Sequence, residues 1–249
     1  MASWNNPQTP RPGVGASPSL DGRTAGQVGY DTGLRKHMLS IYNYMASGVL
    51  LTGVVAMLFA RSGYAASIMM NGGPLKWLII LSPLAIVFGM SFGQRRLSTG
   101  ALQAMFWGFA TLMGLSMSTI FLVYTGQSIA TTFFATAAAF AGLSLVGYTT
   151  KKDLSGMGSF LTMGLIGIIV AMVINIFLQS TILQLAVSIL GVLIFAGLTA
   201  YDTQRLKMEY QYLAGTEFAG KAVIMGALSL YLDFINMFQF LLSFMGNRE

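Results

Sequence analysis

The chain has 249 residues, of which 55% are hydrophobic and only 9% charged, with a mean hydropathy of +0.67. Soluble domains carry about a quarter charged residues, so a surface this poor in charge faces lipid rather than water. The absence of cysteine excludes disulfides and thiolate metal sites. The formal charge of +6 is scattered singly or in pairs between apolar runs, the pattern of membrane-flanking anchors and not of a nucleic-acid face.

Residues 1–37 hold Pro7, Pro10, Pro12 and Pro18, four of the six prolines, among Gly, Ser and Asn. Such a segment has little to bury, and it is read as a disordered cytoplasmic tail ahead of a membrane domain at 38–249. No apolar stretch precedes residue 38, so no signal peptide is expected. Seven apolar runs follow, at roughly 38–60, 77–93, 100–124, 129–148, 157–178, 182–203 and 223–245. Each is near the ~20 residues that cross the hydrocarbon core. The second contains Pro83, which a membrane helix tolerates when a neighbour satisfies the freed carbonyl. Gly126–Ser128 and Gln179–Thr181 are very short links and imply antiparallel neighbours. Gly89 and Gly93 in the second run, and Gly100, Ala104 and Gly108 in the third, are spaced as helix-packing stripes of small residues. The fold class is therefore all-α, a polytopic protein of seven transmembrane helices.

Lys and Arg set the expected orientation. With the N-terminus inside, Arg11, Arg23, Arg35, Lys36, Arg95, Arg96, Lys151, Lys152, Arg205, Lys207 and Lys221 are cytoplasmic, while Arg61, Lys76 and Arg248 are outside. Eleven against three predicts a cytoplasmic N-terminus by the positive-inside rule.

Only two acids lie within the runs: Asp202, closing the sixth, and Asp233, ten residues into the seventh. Ten residues of helix place Asp233 about 15 Å along its axis. A carboxylate at that depth costs about 2.5–3.5 kcal/mol or more and needs a partner, a proton or water. Asp202 also reads as a solvated interfacial acid, and Asp233 as a helix-packing hydrogen-bond donor or acceptor. On consecutive helices the two can approach, share a proton and hold those helices together. Deprotonated, they repel, and either part or attract a hard cation such as calcium, so both are candidate transient calcium ligands. Arg95 and Arg96 read first as topology anchors; pairing of one with Asp202 is the alternative. His37 is the only histidine, which removes histidine-based metal or Ser–His chemistry from consideration.

Three segments together resemble the Bax inhibitor-1 family. They are Thr150-Lys151-Lys152-Asp153-Leu154-Ser155-Gly156-Met157-Gly158, Ala200-Tyr201-Asp202-Thr203-Gln204, and Ala227-Leu228-Ser229-Leu230-Tyr231-Leu232-Asp233-Phe234-Ile235-Asn236. The resemblance spans about residues 35–246. It implies a seven-helix fold with the last helix central, and a pH-sensitive calcium leak shut by a hydrogen-bonded aspartate pair at Asp202 and Asp233. It also implies an arginine near the end of the second helix that pairs with the two acids. That segment reads Gln94-Arg95-Arg96-Leu97 here, and the role passes to Arg95 or Arg96.

The resemblance implies calcium as the transported ion, no cofactor, and a bacterial inner membrane, which the short loops also favour. A non-conducting regulator that binds other membrane proteins, such as a quality-control protease, is the competing expectation. An enzyme is not expected. An intramembrane aspartyl protease needs Gly-x-Gly-Asp at its second acid, where Leu230-Tyr231-Leu232-Asp233 puts bulky residues in the way of a substrate backbone.

Overall fold

The computed structural model describes residues 25–70 and 73–247. Residues 1–24, with Arg11 and Arg23 of the orientation argument, and Arg248 lie outside the described residues. The helices in chain order are α1 (Ala25–Arg61), α2 (Tyr64–Met70), α3 (Pro74–Gly93), α4 (Thr99–Met117), α5 (Ile120–Val123), α6 (Gly126–Thr149), α7 (Ser155–Leu178), α8 (Thr181–Leu213) and α9 (Ala219–Met245). Among the described residues seven helical spans are long and apolar enough to cross a membrane, with α4 and α5 forming one of them.

Three expectations need correction. The tail expected to stay disordered as far as residue 37 is helical from Ala25. Leu34, Met38, Ile41, Met45 and Val49 recur every three or four residues and are all buried, so the apolar face of α1 starts before the apolar run does. Gly126–Ser128 is not a link but the first turn of α6, where the Thr125 hydroxyl caps the helix by accepting from the Ser128 N–H at 3.2 Å. The sixth run ends at residue 203, but α8 continues to Leu213. Charge stops the apolar run there without stopping the helix, because Arg205 pairs one turn back with Asp202 and one turn on with Glu209.

Pro83 sits inside α3 and removes the hydrogen bond to the carbonyl of Ile79. The Ser82 hydroxyl donates to that carbonyl at 3.1 Å, so the freed group is satisfied within the helix. In the stripe Gly100, Ala104 and Gly108 the first two face outward, and a Cβ on Gly100 would meet nothing within 4 Å, whereas one on Gly108 would rest 3.9 Å from Ile86 of α3 and one on Gly89 of α3 would lie 3.1 Å from Met105 of α4. The approaches to a neighbouring helix's backbone lie elsewhere: a Cβ on Gly147 of α6 would run into the Ala200 backbone of α8, and one on Gly114 of α4 into Thr52 of α1.

The last helix is the centre of the bundle. In α9 61% of the apolar window is buried against protein, against 11–33% in the other six spans, which therefore form its lipid-facing wall. Tyr231 is fully buried, 5.0 Å from Phe109 edge to face. Its hydroxyl lies 2.6 Å from Thr52 Oγ1, which donates to the Ala110 carbonyl at 2.8 Å, so α1, α4 and α9 share one buried polar contact. The far end of α9 is tied down by backbone. Thr125 N–H donates to the Asn247 carbonyl at 3.1 Å, Asn247 N–H donates to Ser128 Oγ at 2.9 Å, and Ser188 bonds Ser243 across α8 and α9 at 3.1 Å.

Candidate functional site

Asp202, Arg205 and Glu209 recur at i, i+3 and i+7 on one face of α8, and Ser229 and Asp233 at i and i+4 on one face of α9. These two faces meet. Asp202 and Asp233 are only 6% and 5% exposed, so both carboxyls lie in the protein interior. Asp202 accepts a hydrogen bond from the Ser229 hydroxyl and forms an ion pair with Arg205 Nη1 at 3.1 Å. Arg205 Nη2 also donates to Ser229 Oγ at 3.2 Å, closing a three-membered ring of contacts. Arg205 Nε is buried and stands 3.5 Å from Glu209 Oε1 without a hydrogen bond.

Asp233 lies one turn, about 6 Å, beyond Ser229 along α9. Its Oδ2 is buried and has no hydrogen-bond partner among the described residues. No direct hydrogen bond joins the two carboxyls among the described residues; Asp202 is instead engaged by Ser229, one turn short of Asp233.

The arginines expected near the acids separate. Arg95 lines a cavity of about 620 Å³ that also touches Arg205 and Ser229, whereas Arg96 is exposed and does not line it. The cation paired with Asp202 is Arg205, not Arg95 or Arg96. Arg205 was readable from its i+3 spacing to Asp202, a spacing obscured by treating every basic residue as an anchor. Ser229 and Gln204 were missed as well. Gln204, beside Asp202, grips the α6–α7 link from both sides of its amide: Leu154 N–H donates to Oε1 and Nε2 donates to the Lys152 carbonyl, each at 2.8 Å. In that link Asp153 Oδ1 accepts from Ser155 N–H at 2.9 Å, and hydrogen bonding to Ser155, side chain first and backbone second, holds the Asp153 carboxyl below the usual carboxylate range. His37 is buried, its ring 5.1 Å from that of Tyr210.

Asp202, Asp233 and Ser229 offer fewer oxygens than the six to eight a resident calcium ion takes. No group of three His, Cys, Asp or Glu able to hold a metal occurs among the described residues.

Seven apolar spans, six of them around the central last helix, with two acids between the last two, define an integral membrane protein with a charged cluster in its core. Residues 34–249 match the family model described as inhibitor of apoptosis-promoting Bax1, and the chain belongs to that family, the Bax inhibitor-1 proteins. It is 50% identical to an uncharacterized protein of Caulobacter vibrioides, over 88% of this chain and 92% of that one. It is 47% identical to the uncharacterized protein RP147 of Rickettsia prowazekii, over 88% and 93% of the two chains. To the inner membrane protein YbhL of Escherichia coli K12 it is 44% identical, over 87% of this chain and 94% of that one. None of these names describes an enzyme. The chain is an integral protein of the inner membrane.

Proposed function

We propose that this protein is a pH-sensitive calcium leak whose pathway is gated by Asp202 and Asp233. The observation that carries this reading is the burial of two carboxyls, one turn out of step, between the last two helices of an otherwise apolar bundle. Asp202 is matched by Arg205 and Ser229 and so bears the charge. Asp233 has an unpartnered buried oxygen, and an ionised carboxylate there is costly, so the proton resides on Asp233. A tilt of α9 against α8 that carries Asp233 toward Asp202 lets the two acids share that proton. Raising the pH removes the proton. Two anions then face one guanidinium, the helices repel, and the pair attracts a hard cation in transit. Calcium is cargo in this scheme, not a resident cofactor. In this reading Arg95, on the wall of the adjoining cavity, adds a second cation near the cluster.

Calcium flux into proteoliposomes across a pH series tests the proposal. Flux should rise with pH, and Asp202→Asn or Asp233→Asn should flatten that response, since an amide does not titrate. The double variant should differ from the sum of the singles, because groups acting as one unit couple. Additive variants with an intact pH response would refute the gate. Absence of flux at every pH would leave the regulator of other membrane proteins as the better account.

A further inference from the structure

The cavity beside the acid pair carries a feature the calcium scheme does not use. It opens between α3 on one side and α8 and α9 on the other, at the end of the bundle where Lys207 reaches the Tyr148 carbonyl and Lys221 the Gln94 carbonyl. α3 packs principally on α4, so the cavity is a cleft in the bundle wall rather than a sealed chamber. Three cations line it: Arg95 at the end of α3, Arg205 on α8 and Lys221 in the first turn of α9. One lining carboxylate opposes them, Glu209, and it already faces Arg205.

The mouth cations are poorly neutralised. Lys221 has a 3.4 Å contact with the Gln94 carbonyl and lies 5.4 Å over the Phe218 ring, both weak for an ammonium. Arg95 is exposed and makes no hydrogen bond or ion pair among the described residues. Two cations brought from different helices to one mouth repel unless an anion stands between them. Deeper in, Val87, Met225, Leu228 and Leu232 make the wall apolar. Phe218, 51% exposed, lines the opening with surface suited to hydrocarbon. A charged rim over an apolar slot that opens sideways toward lipid matches an amphiphile, with a phosphate at the rim and an acyl chain below it.

We infer that the cleft between α3 and the α8–α9 pair binds one anionic phospholipid of the cytoplasmic leaflet, its phosphate held between Arg95 and Lys221. Arg205 forms the inner wall of this site while holding Asp202, so the bound headgroup adds negative charge on the far side of the guanidinium that serves the acid pair. Basic residues at helix ends commonly reach toward headgroups all around a membrane protein. What separates this site from that background is the convergence of its cations on one cleft, and the test turns on that difference.

The full-length protein in neutral detergent, titrated with phosphatidylglycerol or phosphatidylcholine and read by native mass spectrometry, should retain one phosphatidylglycerol in preference to phosphatidylcholine. Lys221→Gln and Arg95→Gln should each weaken retention about fivefold, the worth of one basic residue at an anionic surface. Lys151→Gln, an exposed cation at the same end but outside the cleft, should leave it unchanged. Equal retention of the two lipids, or an equal loss in Lys151→Gln, overturns the site in favour of diffuse surface charge. Displacement by inorganic phosphate at matched concentration overturns the lipid and leaves a free-phosphate site. Lys221 and Arg95 lie at the cleft mouth, and Lys221→Gln alone suffices if Arg95→Gln does not fold. The inference is independent of the calcium leak, since Asp233→Asn should change flux while phosphatidylglycerol retention persists.

Discussion

The crossing of α6 on α8 offers a sharp test of the packing that positions Asp202. Gly147 lies where a Cβ would overlap the carbonyl oxygen of Ala200 and come within 2.9 Å of its carbonyl carbon. Carbon atoms rest at about 3.5–4.0 Å, so Gly147→Ala forces the helices apart by roughly 1 Å, and the obstacle is backbone that cannot rotate away. Overpacking of this kind costs about 1–3 kcal/mol, from which the better helix propensity of alanine recovers up to about 1 kcal/mol. With that recovery the net loss is up to about 2 kcal/mol, a fall of up to roughly 8 °C in the melting temperature of a chain this long. Gly142→Ala makes the same chemical change one turn and a half earlier on α6, where a Cβ meets nothing within 4 Å. It should raise the melting temperature by roughly 1–4 °C. Thermal unfolding of both variants in detergent, followed by a dye or by loss of monodispersity, reads the pair of signs. If both variants stabilise the protein alike, α6 and α8 do not approach through Gly147, and the placement of Asp202 two residues beyond Ala200 loses its support. Because Ala200 precedes Asp202 so closely, Gly147→Ala should also perturb calcium flux while Gly142→Ala does not.

Arg205→Gln should destabilise the protein by about 1–3 kcal/mol, less than a fully buried pair because the Arg205 side chain is 38% exposed. Arg95→Gln and Arg96→Gln should alter melting by less than about 0.5 kcal/mol, and a larger loss in either than in Arg205→Gln would displace Arg205 as the partner of Asp202. Reporter fusions after Lys152 should report the cytoplasm and those near Gln127 the outside; the reverse pattern would invert the orientation. The Asp153 carboxyl has a lowered pKa in the folded state, so its contribution to stability is present above the ordinary carboxylate pKa and is lost as pH falls through the lowered value. The melting temperatures of wild type and Asp153→Ala should therefore differ at neutral pH and converge in strong acid, whereas a gap constant across the series would remove the Ser155 hydrogen bonds as its cause.

The spans were legible because lipid imposes a length and a polarity on every crossing, and that constraint is written locally. Helix extent was less legible where tertiary contact replaced hydropathy. The last ten residues of α8 carry Arg205, Lys207 and Glu209, which end an apolar run yet find partners, Arg205 and Glu209 in each other along the helix and Lys207 in the Tyr148 carbonyl of α6. The seven-residue α2 is too short to announce itself as a crossing. Asp202 and Asp233 stood out because a carboxylate in an apolar run demands an explanation. Ser229 and Gln204 did not, since a hydroxyl or an amide in a membrane helix is unremarkable until its partner is known, and the partners of Gln204 lie 50 and 52 residues away in the chain. The small-residue stripe on the third run misled at Gly100 and Ala104 because spacing reports which residues share a face but not how much of that face a neighbour covers.

The backbone ties at Asn247 have a mechanical consequence. A helix clamped at one end by Thr125 and Ser128 cannot slide along its axis without breaking those bonds, but it can tilt. α9 is then a lever whose fulcrum is its outer end. Asp233 lies twelve residues from Met245, about 18 Å from the fulcrum, and Ala219 about 39 Å from it. A tilt of about 5° displaces Asp233 by roughly 1.6 Å, enough to break a hydrogen bond, and Ala219 by roughly 3.4 Å. Movement is therefore smallest where the chain leaves the bilayer on the outside and largest at the cytoplasmic mouth, so small adjustments at the acid pair are magnified at the entrance lined by Lys221.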